Sequence, residues 1–106
     1  MASLDDVRRI ALSLPETTEA EHFGAAAFKV SRKVFAVLRE PGRVTLKFDP
    51  EDQFNLMAGH PAAIERVPGT GVRTGRAGRD GWTMVAYGQF EEADLATFLK
   101  LAWSDV

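Results

Sequence analysis

The sequence contains no cysteine, and this absence excludes several kinds of chemistry at once. Without a thiol the chain forms no disulfide, no thiolate metal site and no covalent cysteine intermediate. Histidine, the other common catalytic and metal-binding side chain, occurs only as His22 and His60. Neither histidine has a second ligand or a catalytic partner at a suitable spacing, so no catalytic residue, metal site or cofactor is predicted.

Long apolar runs are also missing. No stretch approaches the roughly 20 apolar residues that a membrane-spanning helix needs, and residues 1–16 lack the apolar segment of a signal peptide. Together with the absence of cysteine, this favours a soluble protein of the reducing cytoplasm. The chain has 106 residues, 45% of them apolar, which is enough for one domain with its own core. We therefore expect a single domain over residues 1–106.

Three short strands are predicted within residues 26–48. Apolar and polar residues alternate from position 43 to position 48, which places Val44, Leu46 and Phe48 on one face of a half-buried strand. We expect this face to be covered by helices and the opposite face to remain in solvent.

Two short connections join these strands. Pro41 and Gly42 suit the second and third positions of a type II turn, because proline fixes φ and glycine accepts the positive φ required there. The other connection, Ser31-Arg32, lacks the glycine or asparagine that two-residue hairpins prefer. The hairpin at Pro41-Gly42 is thus predicted from its turn residues. The hairpin at Ser31-Arg32 is predicted only from the strands on either side of it.

Three amphipathic helices are predicted around the strands, over about residues 4–14, 50–59 and 91–104. Their starts carry typical signals: Ser3 and Asp49 as N-caps and Pro50 at the first helical position. The stripes expected to be buried are Leu4, Val7, Ile10, Ala11 and Leu14 in the first helix, Phe54, Met57 and Ala58 in the second, and Leu95, Phe98, Leu99, Ala102 and Trp103 in the third.

The remaining segments complete the predicted architecture. Residues 16–21 are polar and predict a loop, and a short edge strand is compatible with the residues around His22. Residues 62–67 suit either a helical turn or a short edge strand, and residues 82–87 predict a strand. This order predicts an α+β two-layer sandwich with a mostly antiparallel sheet, its helices on one face and the other face open.

Several short motifs, in their order and spacing, resemble the MmcQ/YjbR family of small bacterial proteins. They are HFG..AFKV..KVFAVL from His22, LKFDPEDQ from Leu46, the pair Val67-Pro68, and Gly81-Trp82-Thr83. The resemblance covers nearly the whole chain and implies a frataxin-like α+β sandwich. Members of this family are commonly labelled DNA-binding without a defined reaction. Two departures are Ser31-Arg32, where a glycine turn is usual, and a segment at 69–80 that is unusually rich in glycine and arginine.

Charge is distributed unevenly along the chain, although the net charge is only −2. Residues 28–48 contain six basic residues and one acid, and residues 66–79 contain four arginines and no acid. The other segments, chiefly the helices, are therefore strongly acidic. This pattern predicts a basic sheet beside acidic helices, and a local basic patch can bind phosphate on an acidic protein.

A basic open face predicts nucleic-acid binding if it also carries an aromatic surface. Lys29, Thr45 and Lys47 beside Phe35 or Trp82 would combine phosphate contacts with a stacking platform. The predicted binding residues are Lys29, Lys33, Arg43, Lys47, Arg73, Arg76, Arg79 and Trp82. The competing interpretation is that basic residues on exposed strands keep a sheet soluble and its edges unpaired.

Two weaker signals have simpler explanations. The glycine-rich segment 69–81 suggests a phosphate cradle, but it lacks the Gly-Lys-Ser/Thr ending of a P-loop and leads into a strand, so a flexible surface loop is favoured. The acids Asp5, Asp6, Glu16, Glu19 and Glu21 are similar to the iron-binding surface of frataxins. Acids in a first helical turn are already explained by the helix dipole, so we do not predict a metal.

The sequence therefore predicts a small non-enzymatic binding module whose leading partner is nucleic acid. The alternatives are a protein-interaction module or a module that binds an anionic small molecule in a cleft beside the arginine-rich loop. An enzyme ranks third, because no arrangement of nucleophile and base is present.

Overall fold

The computed structural model describes residues 2–22, 24–68 and 80–106. Within them the elements are α1 (Leu4–Ser13), β1 (Thr17–His22), β2 (Ala25–Val30), β3 (Lys33–Leu38), β4 (Val44–Lys47), α2 (Pro50–Gly59), β5 (Ile64–Arg66), β6 (Trp82–Val85) and α3 (Glu92–Asp105). A 3-10 turn, Tyr87–Gln89, precedes α3. The predicted α+β class is confirmed. None of the described helices has the length and apolar character needed to cross a bilayer.

The strands form one sheet in the order β1-β2-β3-β4-β6-β5, and every neighbouring pair is antiparallel. The predicted loop at residues 16–21 is wrong over most of its length, because residues 17–22 form β1 at one edge of this sheet. An edge strand has one neighbour and stays largely in water, so its polar sequence did not reveal it. Of the two alternatives for residues 62–67, the edge strand is the one observed, as β5.

Both strand connections are tight turns. Gly42 has φ +79°, and the Arg43 N–H donates to the Glu40 carbonyl at 3.3 Å, as the predicted type II turn requires. Ser31 and Arg32 have φ +50° and +68°, so the other hairpin has the pair of positive φ values of a type I′ turn. It adopts this conformation without the glycine or asparagine that usually occupies it.

A β-bulge shifts the register in which β2 pairs with β3. Phe28 lies opposite Ala36 but Lys29 lies opposite Val34, so Phe35 is an extra residue with no partner of its own. Phe35 is fully buried in the main core, beside Phe28 and Ala36. Phe35 was one of two aromatic residues considered for the open face, and this alternative is wrong. The bulge turns the Phe35 side chain to the helical side of the sheet.

The main core lies between the sheet and the helices. Val44, Leu46 and Phe48 are at most 1% exposed, which confirms the predicted buried face. The helical residues packed in the same core are Val7, Ile10, Ala11, Leu95, Phe98, Leu99 and Ala102. Leu4 departs from the predicted stripe because it is exposed. Leu14 and Trp103 are half-buried and pack against the core, and the Trp103 indole N–H donates to the Pro15 carbonyl at 3.0 Å.

Helix α2 buries only part of the predicted stripe: Met57 is half-buried and packs against the main core. Phe54 is 66% exposed and Ala58 is exposed, whereas Gln53 is only 2% exposed. The Gln53 amide donates to the Thr83 hydroxyl at 3.0 Å and to the Trp82 carbonyl at 3.3 Å, so its burial leaves no polar group unsatisfied. This polar anchor to β6 sets the rotation of α2 and turns Phe54 into solvent.

Candidate nucleic-acid interface

The sheet face opposite the main core carries a floor of small and apolar side chains. The strand registers align one row across all six strands: Ala20, Ala27, Val37, Thr45, Met84 and Glu65. Ala25, Ala27 and Val37 form a small cluster of their own, against which Val34 and Trp82 pack. No described helical residue belongs to this cluster, in agreement with the predicted open face.

A second row on the open face holds two of the predicted lysines. Lys29 lies opposite Val34, and Lys47 lies opposite Trp82 on the neighbouring strand. The two lysines are on strands β2 and β4, and Val34 of β3, which lies opposite Lys29, lines one groove with Lys47 and Trp82. Both lysines are half-buried, so their aliphatic stems cover the sheet while the ammonium groups reach water.

Trp82 is the aromatic residue of this row. The Lys47 ammonium lies 5.8 Å from the centre of the indole ring, a cation–π distance. The ring lines two separate grooves. One, of about 350 Å³, includes His22, Val37, Arg39, Thr45 and Met84. The other, of about 460 Å³, includes Lys33, Val34, Lys47 and Asp105. Trp82 therefore forms a wall between a mainly apolar groove and a lysine-lined one.

Lys33 does not belong to the open face in the way the sequence suggested. It starts β3 opposite Val30, whose side chain packs against the main core. Lys33 nevertheless lines the same groove as Lys47, because it lies at the end of the sheet. The structure thus brings the two lysines to one groove from different sides.

Arg43 lies at the other end of β4, away from the lysines. Its guanidinium donates to Glu65 Oε1 at 2.7 Å and approaches Met84 Sδ at 3.9 Å. The pair is exposed on the surface, and its two charges largely compensate each other. Glu65 could not be predicted as the partner of Arg43, because residues 62–67 suit either a helical turn or an edge strand in the sequence.

Three carboxylates meet where α2 begins and α3 ends. Oxygens of Asp49, Asp52 and Asp105 lie within 4.8 Å of one another. Asp49 caps α2 by accepting from the N–H groups of Glu51 and Asp52, each at 3.0 Å, and the Asp49 N–H donates to Asp105 at 3.0 Å. A hydrogen bond with Asp105, together with burial and the neighbouring negative charges, raises the pKa of Asp52 to about 6. The cluster therefore joins two helix ends through hydrogen bonds.

Two of the acids considered for an iron-binding surface, Asp6 and Glu19, have partners within the protein. Ser3 and Asp6 form a capping box at the start of α1, and the Ser3 backbone hydrogen bond lowers the pKa of Asp6. Glu19 accepts from Arg8 at 3.0 Å. These contacts stabilise the start of the first helix and connect the helix to β1.

The three arginines of the predicted loop, Arg73, Arg76 and Arg79, lie outside the described residues. The expectations of a mobile loop and of an anion contact at these positions therefore stay predictions. Of the other five predicted binding residues, Lys29, Lys47 and Trp82 form one row, Lys33 approaches from the sheet end, and Arg43 is paired with an acid.

Comparison with known proteins places this chain in a family. The search of curated proteins gave no match. The crystal structure of Deinococcus radiodurans protein DR2400, with domain DUF419, is similar with a TM-score of 0.74 and 25% sequence identity, covering 97% of this chain and 77% of that one. A family model described as YjbR matches residues 12–104, most of the chain. The chain therefore belongs to the YjbR family.

Proposed function

We propose that this chain is a non-enzymatic module that binds nucleic acid through the open face of its sheet. The observation that carries the proposal is the row formed by Lys29, Val34, Lys47 and Trp82. It joins two ammonium groups and one indole ring on a single surface. Ammonium groups attract phosphates, and an indole ring offers a stacking surface to any base.

The pairing of basic residues supports this choice of surface. In the described part of the chain, Lys29, Lys33 and Lys47 form no ion pair with an acid, in contrast to the paired arginines Arg8, Arg9 and Arg43. A phosphate therefore does not have to displace a carboxylate from these lysines. The net charge of −2 does not oppose binding, because the local field at the surface decides it.

An anionic small molecule is the second candidate, and the groove that Trp82 lines together with Val37 and Met84 favours it. Its volume of about 350 Å³ lies within the range of ligand pockets, and its lining includes His22 and Arg39 as well as the acid Glu40. Such a ligand would depend on this groove and not on Lys29, which does not line it.

Fluorescence anisotropy with labelled oligonucleotides of about 20 nucleotides, at low ionic strength of roughly 50 mM, tests the proposal. Lys29→Gln combined with Lys47→Gln should weaken binding about 10-fold or more, since two phosphate contacts are lost. Lys100→Gln is the matched control, because Lys100 is an exposed lysine on α3. Equal weakening by the control, or no binding of any oligonucleotide by the wild type, would refute the proposal. In the second case the same measurement with a nucleoside monophosphate tests the small-molecule candidate.

A further inference from the structure

We infer that the nucleic acid is recognised as a single strand, with one unpaired base stacked on Trp82 in the apolar groove and its phosphate held by Lys47 in the neighbouring groove. This inference rests on the proposed function and specifies its ligand class. It follows from the shape of the surface, from the position of the indole ring and from the division of chemistry between the two grooves.

The shape of the described surface does not suit a duplex. The open face is made by strands, and the helical residues of the core lie on the opposite side. Six strands at about 4.8 Å spacing span roughly 24 Å, whereas the major groove of DNA is about 12 Å wide and admits a helix or a two-stranded ribbon. The open face is therefore too wide to enter the major groove and read base edges there, as a helix or a two-stranded ribbon does. A single strand can lie across a sheet with its bases turned onto it.

Trp82 is held firmly enough to act as a stacking platform. Its carbonyl accepts hydrogen bonds from the buried Gln53 amide at 3.3 Å and from the Val67 N–H at 3.1 Å. Its ring packs against the small apolar cluster of the open face. Because the backbone of Trp82 is held by these hydrogen bonds and its ring packs on this cluster, the indole loses little entropy when a base stacks on it.

The two grooves that meet at this ring divide the chemistry of a nucleotide. Val37 and Met84 give the first groove an apolar floor that suits the face of a base. The polar groups of Thr45, His22, Arg39 and Glu40 also line this groove and can bond to the edge of a base. Lys33 and Lys47 line the second groove together with Asp105, and the two ammonium groups suit a phosphate. Because the Watson–Crick edge of a paired base is occupied, an unpaired base fits the first groove better.

Binding of three ligands of equal length tests the inference: single-stranded DNA, the same sequence as a duplex, and an abasic single strand that keeps the phosphates. The single strand should bind roughly 10-fold or more tightly than the other two at the same salt concentration. Trp82→Leu should weaken single-strand binding by about 5- to 100-fold and leave abasic binding unchanged, because only stacking is removed. Trp82→Phe should restore most of the loss.

A spectroscopic measurement keeps the test independent of the folding of these variants. The chain has two tryptophans, so Trp103→Phe leaves Trp82 as the only indole. Single-stranded DNA should quench its fluorescence, and the abasic strand should not. Two results would overturn the inference and leave the proposed function intact. One is the absence of quenching at a saturating concentration of single-stranded DNA. The other is equal affinity for duplex and single strand, with no effect of Trp82→Leu. Failure of all three ligands to bind would overturn both.

Discussion

Replacing Asp52 by asparagine should stabilise the protein at neutral pH. Asp52 lies in the first turn of α2 and shares a hydrogen bond with Asp105, and its pKa in the folded state is raised to about 6 from an ordinary value of 3.8. Asparagine has nearly the shape of the protonated side chain and retains an N–H group that donates to Asp105. The substitution therefore keeps the hydrogen bond and removes one negative charge from a cluster of acids.

The sign of the pH dependence follows from the two pKa values. Below about pH 4 the Asp52 carboxyl is protonated in both the folded and the unfolded chain, so it does not lower the free energy of unfolding. Above about pH 6 it is charged in both states, and the unfavourable surroundings of the charge in the folded state lower the free energy of unfolding by the full amount. Stability should thus fall as pH rises between these limits. A shift of two pKa units corresponds to about 3 kcal/mol before solvent screening is considered. Asp52 is only half-buried, so solvent screening reduces this figure to about 1 kcal/mol, and the helix dipole at this position offsets part of the remainder. We therefore expect a net gain of a few tenths of a kcal/mol, up to about 1 kcal/mol.

Urea denaturation at several pH values between 4 and 8 measures this gain. The free energy of unfolding of Asp52→Asn should exceed that of the wild type at pH 7.5 and equal it near pH 4. Asp94→Asn is the matched control, because Asp94 is exposed in the first turn of α3. This control should lose a few tenths of a kcal/mol of dipole stabilisation. The reasoning would be refuted if Asp52→Asn did not raise the free energy of unfolding at pH 7.5, or if it raised it equally at pH 4.

Two further predictions concern the packing of β4 and β6, each measured by chemical denaturation. Leu46→Ala should cost about 2 to 5 kcal/mol because Leu46 is fully buried, while Thr45→Ala on the opposite face should change stability by less than about 0.5 kcal/mol. Equal effects would mean that the faces are assigned wrongly. Gly81→Ala should cost more than about 3 kcal/mol or prevent folding, because Gly81 has φ +104° and a Cβ there would overlap the Phe48 carbonyl. Gly59→Ala, which meets nothing within 4 Å, should be tolerated, and the reverse order would contradict the account.

The sequence predicted the parts of the fold that depend on neighbouring residues. The alternation around Leu46 and the Pro41-Gly42 turn are local signals, and both are confirmed. Most of β1 was predicted as a loop, because an edge strand with one covered face needs few apolar residues. The exposure of Phe54 could not be predicted either, since the rotation of α2 is set by the distant contact between Gln53 and Thr83.

The candidate site shows the same division between local and distant information. The basic character of β2 to β4 is visible in the sequence, and Lys29 and Lys47 lie on the open face as expected. The burial of Phe35 was not foreseeable, because a bulge shifts the strand register by one residue. Nor could the position of Trp82 between two grooves be predicted, since it depends on the pairing of β6 with β4.

The dependence of oligonucleotide affinity on salt concentration tests the central claim most directly. For single-stranded DNA, the logarithm of the association constant should fall linearly with the logarithm of salt concentration, by about 0.7 per phosphate contacted. Lys29→Gln combined with Lys47→Gln should reduce this slope by about 1.4, because two phosphate contacts are removed. Lys100→Gln should leave the slope unchanged. An unaltered slope in the double variant, or the same reduction in the control, would contradict the account.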